Sequence, residues 1–281
     1  MAQYGRILKR ALLTVMPSPL RNKVMDASPA FRKSAPEGME FVFDKYLDDV
    51  KVNISTRYLC ERLMWSGQFE MPLMGFLKNN AKPGWICIDV GANVGAVSLA
   101  LAKHIGPEGK VYSFEPGKPN LERLRANLEL NPELKKRIEI HPVGVSNEPG
   151  ELKWHEEPGN PGNAMLSKEG SHSVPVITLE DWAKENKIER VDFMKVDVEG
   201  MEFEVLTGAR EMLKNLHPTL YFETLKRFSG EHGGQNFKLI ETMLIDECKY
   251  DLFKLDLNGN LHPVKDGDWG DYTVAVYNQT S

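Results

Sequence analysis

Two neighbouring segments restrict this chain more than any other part of it. Trp85-Ile-Cys-Ile-Asp89-Val-Gly91-Ala-Asn93-Val-Gly95 reads as a short apolar strand, a glycine turn and the start of a helix. Val111-Tyr-Ser-Phe-Glu115-Pro116 reads as a second strand ending in a carboxylate. Trp85, Ile86, Ile88 and Val90 suit a central parallel strand covered on both faces. Gly91 lets the chain turn without a Cβ, and Gly95 lets the helix from Val97 to Lys103 pack closely. The free N–H groups at the start of that helix suit an anionic group such as a carboxylate. Glu115, at the next strand tip, can accept hydrogen bonds from both hydroxyls of a ribose.

The spacing decides between nucleoside cofactors. A dinucleotide fingerprint, G-x-G-x-x-G, needs its middle glycine so that the backbone can approach a pyrophosphate. Here Asn93 holds that place between Gly91 and Gly95, and a pyrophosphate fits poorly. S-adenosylmethionine has the ribose diol but only an amino-acid carboxylate as its anionic end. The pairing of Asp89 and Glu115 at strand tips argues against a plain βα turn.

Composition sets the frame. The 281 residues suffice for one large α/β domain with extensions. A content of 41% hydrophobic and 27% charged residues describes a globular chain. No segment approaches a transmembrane span, and the basic, briefly apolar start does not read as a signal peptide. Cys60, Cys87 and Cys248 are scattered, with no C-x-x-C or Cys/His cluster, so zinc is not expected and a cytoplasmic location is. Residues 1–35 carry seven basic side chains against Asp26 alone, within a chain of net charge −5. The acidic remainder argues against nucleic acid as a partner. Tyr4, Ile7, Leu8, Ala11, Leu12, Val15 and Met16 share a helical face that ends at Pro17. Residues 1–20 are therefore a candidate for peripheral contact with the inner face of a membrane, against the plainer reading of a helix packed on protein.

Three parts follow: the basic arm 1–35, a cap segment 36–83 of one strand and then helices, and a domain over 84–281. In that domain a helix is expected from Asn120 to Asn131, closed by Pro132, and a strand from Ile138 to Ser146. Glu151–His155 and Val174–Ile177 read as paired strands around a turn-rich candidate substrate loop, Glu156–Ser173. Thr178 reads as an N-cap, Val191–Val196 as a buried strand, Phe203–Leu213 as a helix and Leu220–Glu223 as a strand. Tyr250–Leu257 and Tyr272–Tyr277 read as antiparallel strands, with a turn at Asn258-Gly259. This alternation specifies a doubly wound, mostly parallel, Rossmann-like α/β sheet. Ligands of such sheets bind at the carboxyl ends of strands, where Asp89, Glu115, Asp197 and Glu223 fall, with Glu199 close behind.

The chain resembles the FkbM family of class I S-adenosylmethionine-dependent methyltransferases. The motifs that carry the likeness are Ile88-Asp-Val-Gly-Ala-Asn-Val-Gly95, Phe114-Glu-Pro116, Val143-Gly-Val-Ser146, Ile177-Thr-Leu-Glu-Asp181 and Asp192-Phe-Met-Lys-Val-Asp-Val-Glu-Gly200-Met-Glu202, with Leu206-Thr-Gly208 and Pro218 to Glu223 behind them. The resemblance implies a seven-stranded sheet, here with an N-terminal helical extension. It also implies O-methylation of a hydroxyl, often on a sugar of a glycolipid, surface glycan or related secondary metabolite, or on a polyketide-type product. The alternative is a non-catalytic cofactor- or glycan-binding module.

The cofactor, S-adenosyl-L-methionine, is then expected on Asp89, Gly91, Asn93, Gly95, Glu115, Pro116, Ser146 and Asp197, with Asn147 beside the adenine and Glu70 at the methionine end. Asp197 and Glu199 are the candidates for a base or for orienting the acceptor hydroxyl, with Lys195 structural. No metal is the expectation adopted; the competing arrangement is a Mg²⁺ cluster of Asp197, Glu199 and Glu223. His172 and His232 are lesser candidates for the base.

Overall fold

The computed structural model describes residues 38–157, 160–167, 172–224, 237–265 and 269–278, with the main chain alone at 155–157 and 160–167. The basic arm 1–35 and His232 lie outside the described residues. At the centre is β3 (Ile86–Val90), parallel on one side to β4 (Lys110–Phe114) and on the other to β10 (Phe193–Val196). Beyond β4 lies β5 (Ile138–His141), and beyond β10 lies β11 (Thr219–Glu223), both parallel. Antiparallel β14 (Tyr272–Tyr277), β12 (Tyr250–Leu255) and β13 (Leu261–Pro263) complete the order β13-β12-β14-β11-β10-β3-β4-β5. The chain reverses its direction of winding between β3 and β10, which opens a crevice at their carboxyl ends.

The sheet has eight strands, where seven are expected. Asp256 accepts the N–H groups of Asn258 and Asn260, at 2.8 and 2.9 Å, and this tight turn folds β12 back on the short edge strand β13. Strand β14 pairs with β12 as expected, but along its other edge. The turn also touches the far side of the domain. A Cβ on Gly75 would stand 2.6 Å from the main chain of Asn258, so α2 (Met71–Asn80) needs glycine there.

A second sheet, β6-β9-β7-β8, stands beside the first. The strand expected from Ile138 to Ser146 is split between the two, because Pro142 has no N–H for a ladder. Its second piece, β6 (Gly144–Val145), runs parallel to β9 (His172–Ile177). The expected pairing of β7 (Gly150–Glu157) with β9 is present. The segment expected to be a loop contains β8 (Asn160–Ser167), paired to β7 through the main chain, so no apolar alternation announces it.

One face of the main sheet is covered by the hairpin β1 (Glu40–Tyr46) and β2 (Val50–Ser55), by α1 (Leu59–Ser66) and α2, and by α3 (Ala96–His104) and α4 (Lys118–Glu129). The cap thus begins with two strands, not one, and Phe69 falls between its helices. Pro132 opens a short helix, α5 (Pro132–Lys135), as well as ending α4. Asn127 of α4 and Asn131, which precedes α5, do for β2 what a neighbouring strand would do. Asn131 bonds both the N–H and the carbonyl of Lys51, at 2.9 and 2.6 Å, and Asn127 accepts the Asn53 N–H at 2.7 Å. Asn127 also donates to the Val94 carbonyl at 2.8 Å, inside the glycine turn.

The opposite face carries α6 (Leu179–Glu185), α7 (Glu202–Thr207), α8 (Arg210–Leu216) and a π-helical turn at Met243–Glu247. Thr178 caps α6 as expected, accepting the Asp181 N–H at 3.0 Å. The helix expected from Phe203 to Leu213 breaks at Gly208, where a Cβ would come within 2.2 Å of the Ser146 carbonyl. Gly75→Ala should destabilise the fold by about 1–3 kcal/mol, since main chain must move to admit the methyl group. Urea denaturation measures it, and an unchanged midpoint would show that this contact is slack.

Candidate active site

The turn after β3 is built by conformation before chemistry. Gly91, Asn93 and Gly95 all have positive φ, +77°, +50° and +84°. At Gly91 no side chain is admissible, because a Cβ would lie 1.9 Å from the Asp197 carbonyl oxygen. Gly95 starts α3, with Leu124 of α4 3.1 Å from where its Cβ would be. Asparagine tolerates the left-handed region better than most residues. Its N–H at position 93 is donated to Glu115 Oε2 at 2.9 Å, so the donor that a pyrophosphate would seek is already engaged.

Beneath the turn runs a polar row. Ser113, Asp89, Lys195 and Tyr221 are register partners across β4, β3, β10 and β11. Ser98 of α3 donates to Asp89 Oδ2 at 2.5 Å and bonds the Ser113 hydroxyl at 2.8 Å. Lys195 Nζ donates to the Gly91 carbonyl at 2.8 Å and lies 3.3 Å from Asp197 Oδ2 and 3.6 Å from Asp89 Oδ1. Burial alone pulls the Lys195 pKa down, but Asp197, Asp89 and Glu70 outweigh it and hold the ammonium above its ordinary value. The group is therefore charged.

Above the row is a cavity of about 270 Å³. Glu115 lies in its wall, buried, with Oε1 accepting the Gly117 N–H at 2.8 Å. Burial raises its pKa to about 7, against the pull of the Gly117 and Asn93 N–H groups. Trp154 of β7 comes in over the same acid. Gly117 is glycine because a Cβ there would stand 2.6 Å from the indole and 2.8 Å from Glu115 Oε1. Phe114, Val143 and Val145 add apolar wall next to it, whereas Glu70, Tyr272 and Glu223 line another part. Among the described residues, five carboxylates (Glu70, Glu115, Asp197, Glu199, Glu223) line the cavity against one ammonium, Lys195. That balance favours a cationic ligand and opposes a pyrophosphate.

After β10 the chain makes a tight loop, with φ of +55° at Glu199 and +105° at Gly200. Glu202 holds it by accepting the N–H groups of Val198 at 3.0 Å and Gly200 at 3.1 Å. Among the described residues, the acids whose oxygens approach within 4.8 Å of one another are Asp197, Glu202 and Glu223. Glu202 stands there in place of Glu199, so the cluster of Asp197, Glu199 and Glu223 is not the one the fold assembles.

The expected residues divide by position. Gly91, Asn93, Glu115, Pro116, Asp197, Glu199 and Glu70 line the cavity. Asp89 is wholly buried below the turn, facing Ser98 and Lys195, and Gly95 and Ser146 also stand behind the lining. The Ser146 hydroxyl is spent on Asn147 Oδ1 at 3.2 Å. His172 is exposed on β9, away from the cavity. Sequence reasoning gave no role to Glu202, Trp154, Asn120, Tyr221 or Tyr272. For Glu202 a signal existed, an acid four residues after Val198 at the mouth of a helix.

A model of the methyltransferase FkbM domain matches residues 89–252, over half of the chain. The chain belongs to the FkbM methyltransferase family. The hexuronic acid methyltransferase AglP of Haloferax volcanii is 26% identical over 151 residues, covering 53% of this chain and 59% of that protein. The 2-O-methyltransferase NoeI of Sinorhizobium fredii is 27% identical over 152 residues, covering 47% and 60%. The chain thus spans less than two thirds of the length of either relative. The crystal structure of an FkbM methyltransferase from Methylobacillus flagellatus overlaps 70% of this chain and 44% of its own, at 20% identity and a TM-score of 0.49. That is too loose a likeness to bear on function. The FkbM match begins at Asp89 and leaves Glu70 and the cap outside it. Lys195→Met should cost about 3–5 kcal/mol, because it strands the Asp89 charge in the core. Chemical denaturation would measure this; a loss below about 1 kcal/mol would mean that Asp89 is held well enough by Ser98 alone.

Proposed function

We propose that this member of the FkbM family transfers a methyl group from S-adenosylmethionine to a hydroxyl oxygen, on a sugar of a glycolipid, surface glycan or related metabolite. The observation that carries the reading is the coupling of Asn93 to Glu115. It removes the pyrophosphate-binding donor and leaves a carboxylate in the cavity wall. The donor chemistry suits this cofactor throughout. Glu115 would take the ribose hydroxyls, and Phe114, Val143, Val145 and Trp154 offer apolar walls to a purine. The acidic excess suits a sulfonium and an ammonium. The name of AglP supports a sugar acceptor, and that of NoeI supports oxygen as the methylated atom.

When bound, the cofactor supplies an electrophilic methyl group. What the chain must do is align the acceptor oxygen with it and take up the hydroxyl proton. Asp197 is best placed for the second task. Its side chain is 22% exposed, faces the cavity and is fixed by the Lys195 ammonium. Glu199 lines the cavity next to it, whereas Glu202 is committed to the loop. Lys195 serves as a positioning residue.

Incubation with isotopically labelled cofactor and glycolipid or polysaccharide fractions, followed by mass spectrometry, tests the proposal; label in no hydroxyl-bearing product overturns it. Asp197→Asn should lower kcat at least about 100-fold with little change in cofactor affinity, the loss typical of a general base. Binding should also depend on pH. The ionised carboxylate of Glu115 is the form that accepts two hydroxyls, and its pKa is raised to about 7 by burial. Affinity for S-adenosylhomocysteine should therefore rise with pH through that value, by about tenfold from pH 6 to pH 8. Glu115→Gln should flatten this dependence, and calorimetry at the two pH values reads both.

A further inference from the structure

Glu70 lies outside the family match and has a geometry that its place in the fold does not require. It precedes α2 with a φ of +42°, left-handed for a residue with a Cβ, and makes no side-chain cap to that helix. Its carboxylate is turned instead to the cavity wall. Tyr221, itself 1% exposed, donates its hydroxyl to Glu70 Oε2 at 2.7 Å. The Tyr221 ring is stacked on Tyr272, with centroids 4.9 Å apart at 11°, and the Tyr272 hydroxyl also reaches Glu70. Two phenols therefore fix the acid, and both are neutral. Among the described residues, no lysine or arginine forms an ion pair with Glu70. The nearby ammonium, Lys195, is already divided between the Gly91 carbonyl, Asp197 and Asp89. Strain of this kind persists where the surroundings enforce it, and it gathers at ligand clamps.

The position indicates the ligand. The partners of Glu115 are Asn93, Gly117 and Asn120, and those of Glu70 are Tyr221 and Tyr272, so the two acids of the cavity wall are held by separate sets of residues. Helix α2, which Glu70 introduces, packs on α3, whose first turn follows the glycine turn. If Glu115 takes the ribose, the amino-acid portion of the cofactor runs from there toward the start of α3. Its carboxylate suits the free N–H groups of that turn, and its ammonium needs an anion beside them. We propose that Glu70, held by Tyr221 and Tyr272, is the acceptor for the α-ammonium of the methyl donor, and so a residue that selects an amino-acid-bearing nucleoside. This rests on the methyl-transfer reading above. Burial raises the pKa of Glu70, and a cation placed against it would draw the group back to its ionised form.

The test crosses two ligands with two variants. The ligands are S-adenosylhomocysteine and its des-amino analogue, 5′-S-(3-carboxypropyl)-5′-thioadenosine, which lacks only the ammonium. On the unaltered chain the first should bind at least about tenfold more tightly than the second, as a charge-assisted hydrogen bond makes possible. Glu70→Gln keeps an acceptor for Tyr221 and should weaken S-adenosylhomocysteine by about tenfold, leaving the analogue within about twofold. Tyr272→Phe, which loosens the carboxylate without removing it, should show a smaller loss with the same selectivity. It also serves as the test if the glutamine variant does not fold. Equal loss of both ligands would make Glu70 a structural residue, and no loss of either would place the ammonium elsewhere; both outcomes overturn the proposal. Failure of the unaltered chain to bind either ligand is a different result, which overturns the methyl-transfer reading first and this one with it.

Discussion

A lysine ammonium sealed in the middle of a parallel sheet is the constraint to which the rest of the site is fitted. Such a group is tolerated only where opposite charge and hydrogen-bond acceptors surround it. Lys195 obtains these from three places: Asp89 on the neighbouring strand, Asp197 beyond its own strand, and the carbonyl of Gly91. The third contact shapes the ligand site, because it ties the turn after β3 to the strand next to it. The absence of a side chain at Gly91 completes the lock by letting the Asp197 carbonyl approach. The two loops at the switch point are therefore a single unit, and Asp197 is anchored by the same cation that holds the turn after β3.

What could be read from the sequence is what is local in it. The strand, glycine turn, helix and second strand around Gly91 and Glu115 follow from a short run of residues, and the structure has them. Residue type at a strand tip was a weaker guide. Asp89 and Glu115 look alike as acids ending buried strands, yet one faces Ser98 and Lys195 under the turn and the other faces the cavity. Alternation along a strand gives the face of a side chain, and only the packed neighbours decide whether that face meets core or ligand. The pairing of Glu70 with Tyr221 joins residues 151 positions apart, which no local pattern announces. Trp154 was hidden differently, since its strand was legible but its approach to Glu115 depends on how the second sheet packs beside the first.

The second sheet and the cap complete the cleft from opposite sides. Val145 and Trp154 come from the sheet, which has its own small core around Trp154, Val174 and Val176. Leu59, Cys60, Leu63, Phe69 and Glu70 come from the cap. Glu61, fully buried in α1, accepts the Ser55 N–H at 2.5 Å and pairs with Arg123 of α4, so the helix that supplies the apolar part of the cap is itself anchored to the core.

The side-chain amides of Asn127 and Asn131 carry this dependence further. Asn127 reaches the hairpin with its oxygen and the Val94 carbonyl with its nitrogen, so one amide spans the cap and the nucleotide-type turn. The point at which the family match begins, Asp89, is consequently not a point of mechanical independence. A piece cut just before β3 would carry every glycine and carboxylate of the recognisable motif and would still expose a raw hydrophobic flank and two amides with nothing to hold. The family match and the folded unit have different limits, and the cleft needs residues from both sides of Asp89.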